Sequence, residues 1–219
     1  MKLFGLLLFA FMFTACGSSS NEVHYDAPQT TTGGYSVNKV WNIKDFPLTI
    51  YVPVEMDQYK DAINAAAQTW EDGIGMPVFN FVFDDITKPN TQWTNSSNSL
   101  YDSYKGIFKE TSWSFTNLDN GVLAFTGTLS TNGIYQQADI LFNFKTYKFG
   151  DVVLDPTLQT TVDFQSVITH ELGHFIGLDH VSIDDDPNSI MNPTLTKGTA
   201  KRKLSTRDIQ VVKKLYYLN

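Results

Sequence analysis

Residues 170–180 read HELGHFIGLDH and hold three of the four histidines in a 219-residue chain. Residues four apart on a helix share a face, so His170 and His174 point the same way, one turn apart. Two imidazoles placed so can reach one metal ion at about 2.0–2.1 Å. Glu171 stands one position on, about 100° around the helix from His170. It cannot easily ligate the same ion, but it can reach a water bound there, which is the geometry of a general base beside a metal-activated water. On a continuous helix His180 would lie well away from the pair. Gly177 resolves this, because a glycine can take the left-handed turn that stops a helix, and the returning chain then offers His180 as a third ligand. Three neutral nitrogens leave a fourth tetrahedral position open, which marks a catalytic site, and an imidazole set without thiolate suits zinc.

Elements must position these groups. VDFQSVITHELGHFIG (162–177) is predicted to be a helix, with Phe164, Val167, Ile168, Leu172 and Phe175 on its apolar face and Thr161 or Asp163 as its cap. A second helix follows Asp57, which can cap it. Tyr59, Ile63, Ala66 and Trp70 mark its buried face, and Gly73 and Gly75 end it. A third runs from Ser205 to about Tyr217, capped by Ser205 or Thr206, with Ile209, Val212, Leu215 and Tyr216 inward. PLTIYVPV (47–54), VFNFVF (78–83), GVLAFTG (121–127) and ADILFNF (138–144) read as strands. Residues 86–100 read as an exposed loop, and the strand pattern is weak between 100 and 118. The β-α-β order points to a mixed sheet with a helix packed on it.

The zinc motif with Gly177 and His180, followed by Met191 in DPNSIMNP (186–193), resembles the metzincin pattern of a histidine triad and a methionine turn. The closer resemblance is to the matrixins, the matrix metalloproteinase-type catalytic domains. It extends from roughly Val40 to Tyr217, through FPLTIYV, AINAAAQTWED, FNFVF, GVLAFTG, ADILFNF and LSTRDIQVVKKLYY, and is poor at 86–120. It implies an α+β, zincin-like fold with a twisted mixed β-sheet, an active-site helix, a Met-turn and a C-terminal helix. It also implies that Met191 forms a hydrophobic base beneath the metal and that Asp208 bonds to the Met-turn. An extended peptide would add antiparallel to the edge strand near Leu123 and Ala124, with a pocket wall around Pro193 to Leu195. The second, structural zinc of the family is not expected, since only His24 remains, in a segment where a lone histidine reads as an exposed spectator. The family's glycine-rich calcium loop is not visible. Asp184–Asp186 offers carboxylates that calcium takes, but a solvated acidic loop is the preferred reading. Cys16 is the only cysteine, and no propeptide of useful length is visible to carry the family's cysteine latency.

The N-terminus makes a separate statement. Lys2 precedes an uncharged run from Leu3 to Ala15, short for a membrane span but fitting a signal peptide. Phe13-Thr14-Ala15-Cys16 resembles a bacterial lipobox, which makes Cys16 the lipidated residue and explains a lone thiol in an exported chain. The expected organisation is a signal peptide at 1–15, a lipidated cysteine and flexible tether at 16–36, and a metallopeptidase domain at 37–219. Gly17 rather than Asp after the cysteine favours the outer membrane in a diderm cell. The net charge of −7 and the absence of a basic stripe argue against nucleic acid. The short run at 201–203, KRK, reads as a solvated turn, and a monomer is expected. The function expected is zinc-dependent endopeptidase. The rival reading is a surface lipoprotein whose zinc is a structural clip and which binds a partner without cleaving it. Glu171 counts against that rival, since a closed site needs a fourth ligand and no general base.

Overall fold

In the computed structural model, which describes residues 22–24, 39–83, 104–116 and 118–218, a mixed sheet carries the domain. Its strands are β2 (Leu48–Val52), β3 (Phe79–Phe83), β4 (Gly106–Glu110), β5 (Ala124–Thr131) and β6 (Ile134–Asn143), in spatial order β3-β2-β4-β6-β5. The pairs β2–β3, β2–β4 and β4–β6 are parallel; β5 runs antiparallel to β6 and forms the edge of the sheet. Alternation sends successive side chains of β6 to opposite faces. Ile140 and Phe142 enter the main core beneath the helices, while Leu141 joins Phe108, Trp113, Val122 and Phe125 in a smaller core on the other side. Both faces of β6 are therefore dry, which is why ADILFNF is apolar almost throughout. β4, a strand with little sequence pattern of its own, contributes Ile107 to the main core and Phe108 to the smaller one.

Two hairpin features escaped the sequence reading. Asn132 and Gly133 have φ of 53° and 78°, so they form the two-residue turn with both central residues left-handed that matches strand twist. The turn extends β5 to Thr131 and starts β6 at Ile134, beyond the bounds read from apolar residues alone. Asn-Gly was the available sign. Residues 86–100, by contrast, lie outside the described residues.

Helix α1 (Lys60–Ile74) buries Ile63, Ala66, Ala67, Trp70 and Ile74. Asp57 does not cap it. A 3-10 segment, Val54–Tyr59, runs straight into the helix, so the Lys60 N–H is satisfied by the Asp57 carbonyl rather than by its side chain. Gly73 does not end it either. It lies inside α1, where a Cβ would come within 2.9 Å of the Leu204 side chain, while Gly75, at φ 87°, makes the left-handed stop. Helix α2 (Phe164–Phe175) begins after a two-residue strand β8 (Val162–Asp163) that pairs with β7 (Phe149–Gly150). Helix α3 (Thr206–Leu215) starts at Ser205 in a reciprocal capping box with Asp208, a motif that satisfies two otherwise orphaned donors.

One short strand falls within the 16–36 segment read as tether. Glu22–His24 forms β1, antiparallel to β9 (Thr194–Thr196), with His24 opposite Thr194. Strand addition to an edge is made by backbone hydrogen bonds and needs no apolar period, so the sequence pattern did not reveal it. Among the described residues no helix is long and apolar enough to cross a membrane.

Candidate metal centre

Helix α2 is held at both ends before it can present anything. At its start, the fully buried Asp163 accepts from the Ser166 N–H (2.9 Å) and hydroxyl (2.6 Å), which caps the first turn. Arg202 then pairs with the same carboxylate and with Asp151 (2.6 Å). Lys201 Nζ donates to the Pro187 carbonyl and to Asn192. The KRK run is thus not merely a solvated turn: Lys201 holds the turn on either side of Met191 and Arg202 holds the start of α2. Asp163 is itself fully buried, so its carboxylate would be costly to leave without this half-buried partner, and Arg202 belongs to the frame of the site.

At its end, α2 leaves carbonyls without intrahelical partners. Trp41 Nε1 donates to Phe175 O (2.6 Å) and the Tyr216 hydroxyl to Ile176 O (2.9 Å). Burial pushes the Tyr216 hydroxyl well above its ordinary range, so it remains a protonated donor. Gly177, at φ 99°, turns the chain: its N–H donates to His174 O (2.9 Å) and the Leu178 N–H to Gly173 O (3.0 Å), a Schellman closure. A Cβ at 177 would also stand 2.6 Å from Lys39 O, so both the torsion and the space call for glycine.

That turn brings His180 back to the helix. His170 Nε2 lies 3.0 Å from His174 Nε2 and 3.2 Å from His180 Nε2. Ligands of a tetrahedral ion at about 2.0–2.1 Å stand about 3.3 Å apart, so the spacing fits one zinc. The outer ring nitrogens fix the tautomers. His170 Nδ1 meets Ile190 O at 2.8 Å and His174 Nδ1 meets Leu178 O at 2.7 Å. A carbonyl only accepts, so each Nδ1 carries the proton and each Nε2 lone pair faces inward, the arrangement that orients a metal-binding imidazole. Each of these bonds also grips the segment carrying another part of the site: Ile190 precedes Met191, and Leu178 lies on the turn to His180. Among the described residues this trio is the only group of three or more His, Cys, Asp and Glu side chains close enough to share an ion.

Met191 is fully buried beneath α2. A Cβ on Gly173 would stand 2.3 Å from its sulfur and 2.8 Å from Trp70, so the close approach of Met191 to the helix depends on glycine there. The sequence reading passed over Gly173, although a glycine inside a helix costs about 1 kcal/mol against alanine and so points to a packing reason. Trp70 fixes the depth of α2 by donating to Thr169 O at 2.8 Å. Asp208, with no exposure, accepts from the Ser189 hydroxyl (2.5 Å) and from the N–H groups of Ile190 (2.9 Å) and Ser205 (2.8 Å). It thereby joins the start of α3 to the turn that carries Met191.

Glu171 is fully buried next to the trio, and its Oε2 receives the Thr126 hydroxyl at 2.5 Å. Leu123 and Ala124 have no exposed side chain, and Leu123 O accepts from Asn143 N (2.9 Å), so anything they offer a ligand is main chain of β5 and its approach. Pro193 is half-buried in the bend just before β9, and Leu195 is buried within that strand. Asp184 and Asp185 are exposed. Cys16 lies outside the described residues.

A family model described as Matrixin matches residues 19–217. The chain is 43% identical over 68 residues to Metalloendoproteinase 2-MMP of Arabidopsis thaliana, covering 30% of this chain and 17% of that protein. It is 40% identical over 70 residues to Metalloendoproteinase 1 of Glycine max, covering 32% and 22%. With human matrilysin the identity is 45% over 56 residues, covering 25% and 20%. The chain therefore spans about a fifth of the length of the curated relatives it matches.

Proposed function

The chain belongs to the matrixin family, and on that premise we propose that it is a zinc-dependent endopeptidase that hydrolyses peptide bonds of proteins. Its mixed sheet, α2, methionine turn and α3 make up an α+β metzincin domain. One observation carries the reading: three inward Nε2 atoms stand beside a buried carboxylate outside the ligand group. A structural zinc site closes with four protein ligands, whereas three ligands and a neighbouring acid make a catalytic one.

His170, His174 and His180 hold the ion through Nε2. Zinc, when bound, supplies polarisation of the scissile carbonyl and acidification of water. Glu171 takes a proton from the attacking water on its carboxylate and delivers it to the leaving amine as the C–N bond breaks and the new C–O bond forms. Met191 and Asp208 set the floor on which the histidines stand. The substrate is an extended peptide that adds to the outer edge of β5 through main-chain hydrogen bonds from the Leu123–Ala124 stretch, with side-chain selection near Pro193 to Leu195. The full-length protein in detergent should cleave members of a fluorogenic peptide library, stop on chelation and recover on zinc addition. Stoichiometric zinc without any cleavage would overturn the reading.

The proposed setting is the bacterial envelope, with the chain exported and held by lipid on Cys16. The motif at 13–16 supports this, and several acyl chains hold a protein firmly at a membrane. The protein should label with palmitate and partition into detergent in its bacterial host. A Cys16→Ala form that labels and partitions equally would refute the anchor.

A further inference from the structure

Thr126 sits on β5, paired with Ile140 of β6, on the face of the strand opposite Phe125. Phe125 fills the small core, so Thr126 points toward α2. Its Oγ1 lies 2.5 Å from Glu171 Oε2 and 3.2 Å from the Glu171 carbonyl oxygen. A hydroxyl has one proton to give. It goes to the carboxylate, because the contact is the shorter one and falls in the 2.5–2.7 Å range of a charge-assisted O–H···O⁻ bond.

We propose that Thr126 is the positioning residue for Glu171, holding its carboxylate in the one orientation that serves proton transfer. The inference rests on the reading of Glu171 as general base. A glutamate side chain has three rotatable bonds and loses much rotamer freedom when it is held, so something must select its direction. Thr126 is suited to that selection. Its backbone is fixed by the β5–β6 ladder, and its branched Cβ leaves χ1 little freedom. Binding Oε2 also sets the direction of Oε1, since the carboxylate is planar. The placement has a second consequence. Thr126 lies two residues beyond Ala124 on the edge strand proposed to receive the substrate, so peptide addition there presses on the same strand that aims the base. Substrate register and base orientation are thereby tied to one element.

Thr126→Val keeps shape and β-branching and removes only the hydroxyl; Thr126→Ser keeps the hydroxyl. A hydrogen bond to a charged group sets the scale, so Thr126→Val should lower kcat about ten- to hundred-fold. KM should stay within about twofold, because the lost contact serves the reacting step rather than peptide binding. Thr126→Ser should recover most of the rate. Zinc content and melting temperature should stay at wild-type values in both variants. A readout independent of turnover is the metal-free crystal structure, in which Glu171 should leave its position in the Val variant and keep it in the Ser variant. The Glu171→Gln background separates the inference from the reading beneath it. If Glu171→Gln abolishes turnover, Thr126→Val should add little to that loss, as for two residues acting through one group. An active Glu171→Gln protein sinks the general-base reading. An inactive Glu171→Gln protein beside a Val variant with wild-type kcat overturns the inference alone. Equal losses in the Val and Ser variants, or loss of zinc in the Val variant, overturn it as well.

Discussion

The His174→Ala protein is expected to carry no zinc and to show no peptide cleavage above background. Two losses coincide at this position. One of three inward nitrogens disappears, and so does the Nδ1 bond to Leu178 O that anchors the turn leading to His180. Removing an outer partner of a metal-binding imidazole already costs about 10–100-fold in metal affinity, and removing the imidazole itself costs more. The protein should still fold, because Trp41, Tyr216 and Gly177 close the end of α2 independently of His174 side-chain atoms. Metal analysis and peptide turnover on the purified variant test this together. Zinc at full occupancy would remove His174 from the ligand set.

Glu171→Gln should separate metal from chemistry. The amide keeps the size of the side chain and an oxygen that can accept from Thr126, so the buried site stays filled and zinc stays bound. It cannot take the proton of the attacking water. Proton transfer by a positioned group is worth about 10²–10⁴-fold, and turnover should fall at least that far while zinc content and melting temperature hold. At about 1.36 kcal/mol per tenfold, that is roughly 3–5 kcal/mol of transition-state stabilisation. Turnover close to wild type would dismiss Glu171 as base and the mechanism with it. A structural clip would give a different pattern, with no cleavage from either form and equal partner binding by both.

The gathering of the three histidines was legible in eleven consecutive residues because the spacing of a helix is fixed. Two histidines four apart must share a face, a glutamate beside them must point elsewhere, and a glycine seven past the first histidine is free to turn the chain. The buried faces of α1 and α2 and the apolar strands followed from equally local periodicities. Boundaries were less legible where the deciding group lay elsewhere in space. Asp57 has the chemistry of a cap, yet the 3-10 segment before α1 satisfied the donor first. Gly73 has the chemistry of a stop, yet it is a packing glycine against Leu204.

The support of the site was decided by tertiary structure alone. Thr126 is 45 residues from Glu171 and Arg202 is 39 from Asp163, and nothing in the residue types announces either partnership. Gly173 has meaning only when Met191 and Trp70 are brought against it. β1 is found on β9 because an open strand edge accepts any backbone of suitable reach, whatever its side chains. A short-range motif carries its geometry in the backbone repeat, so the sequence by itself determined which three histidines gather at the candidate metal site. The orientation of those residues depends on hydrogen bonds between distant segments, and these exist only after the sheet, the helices and the methionine turn have packed.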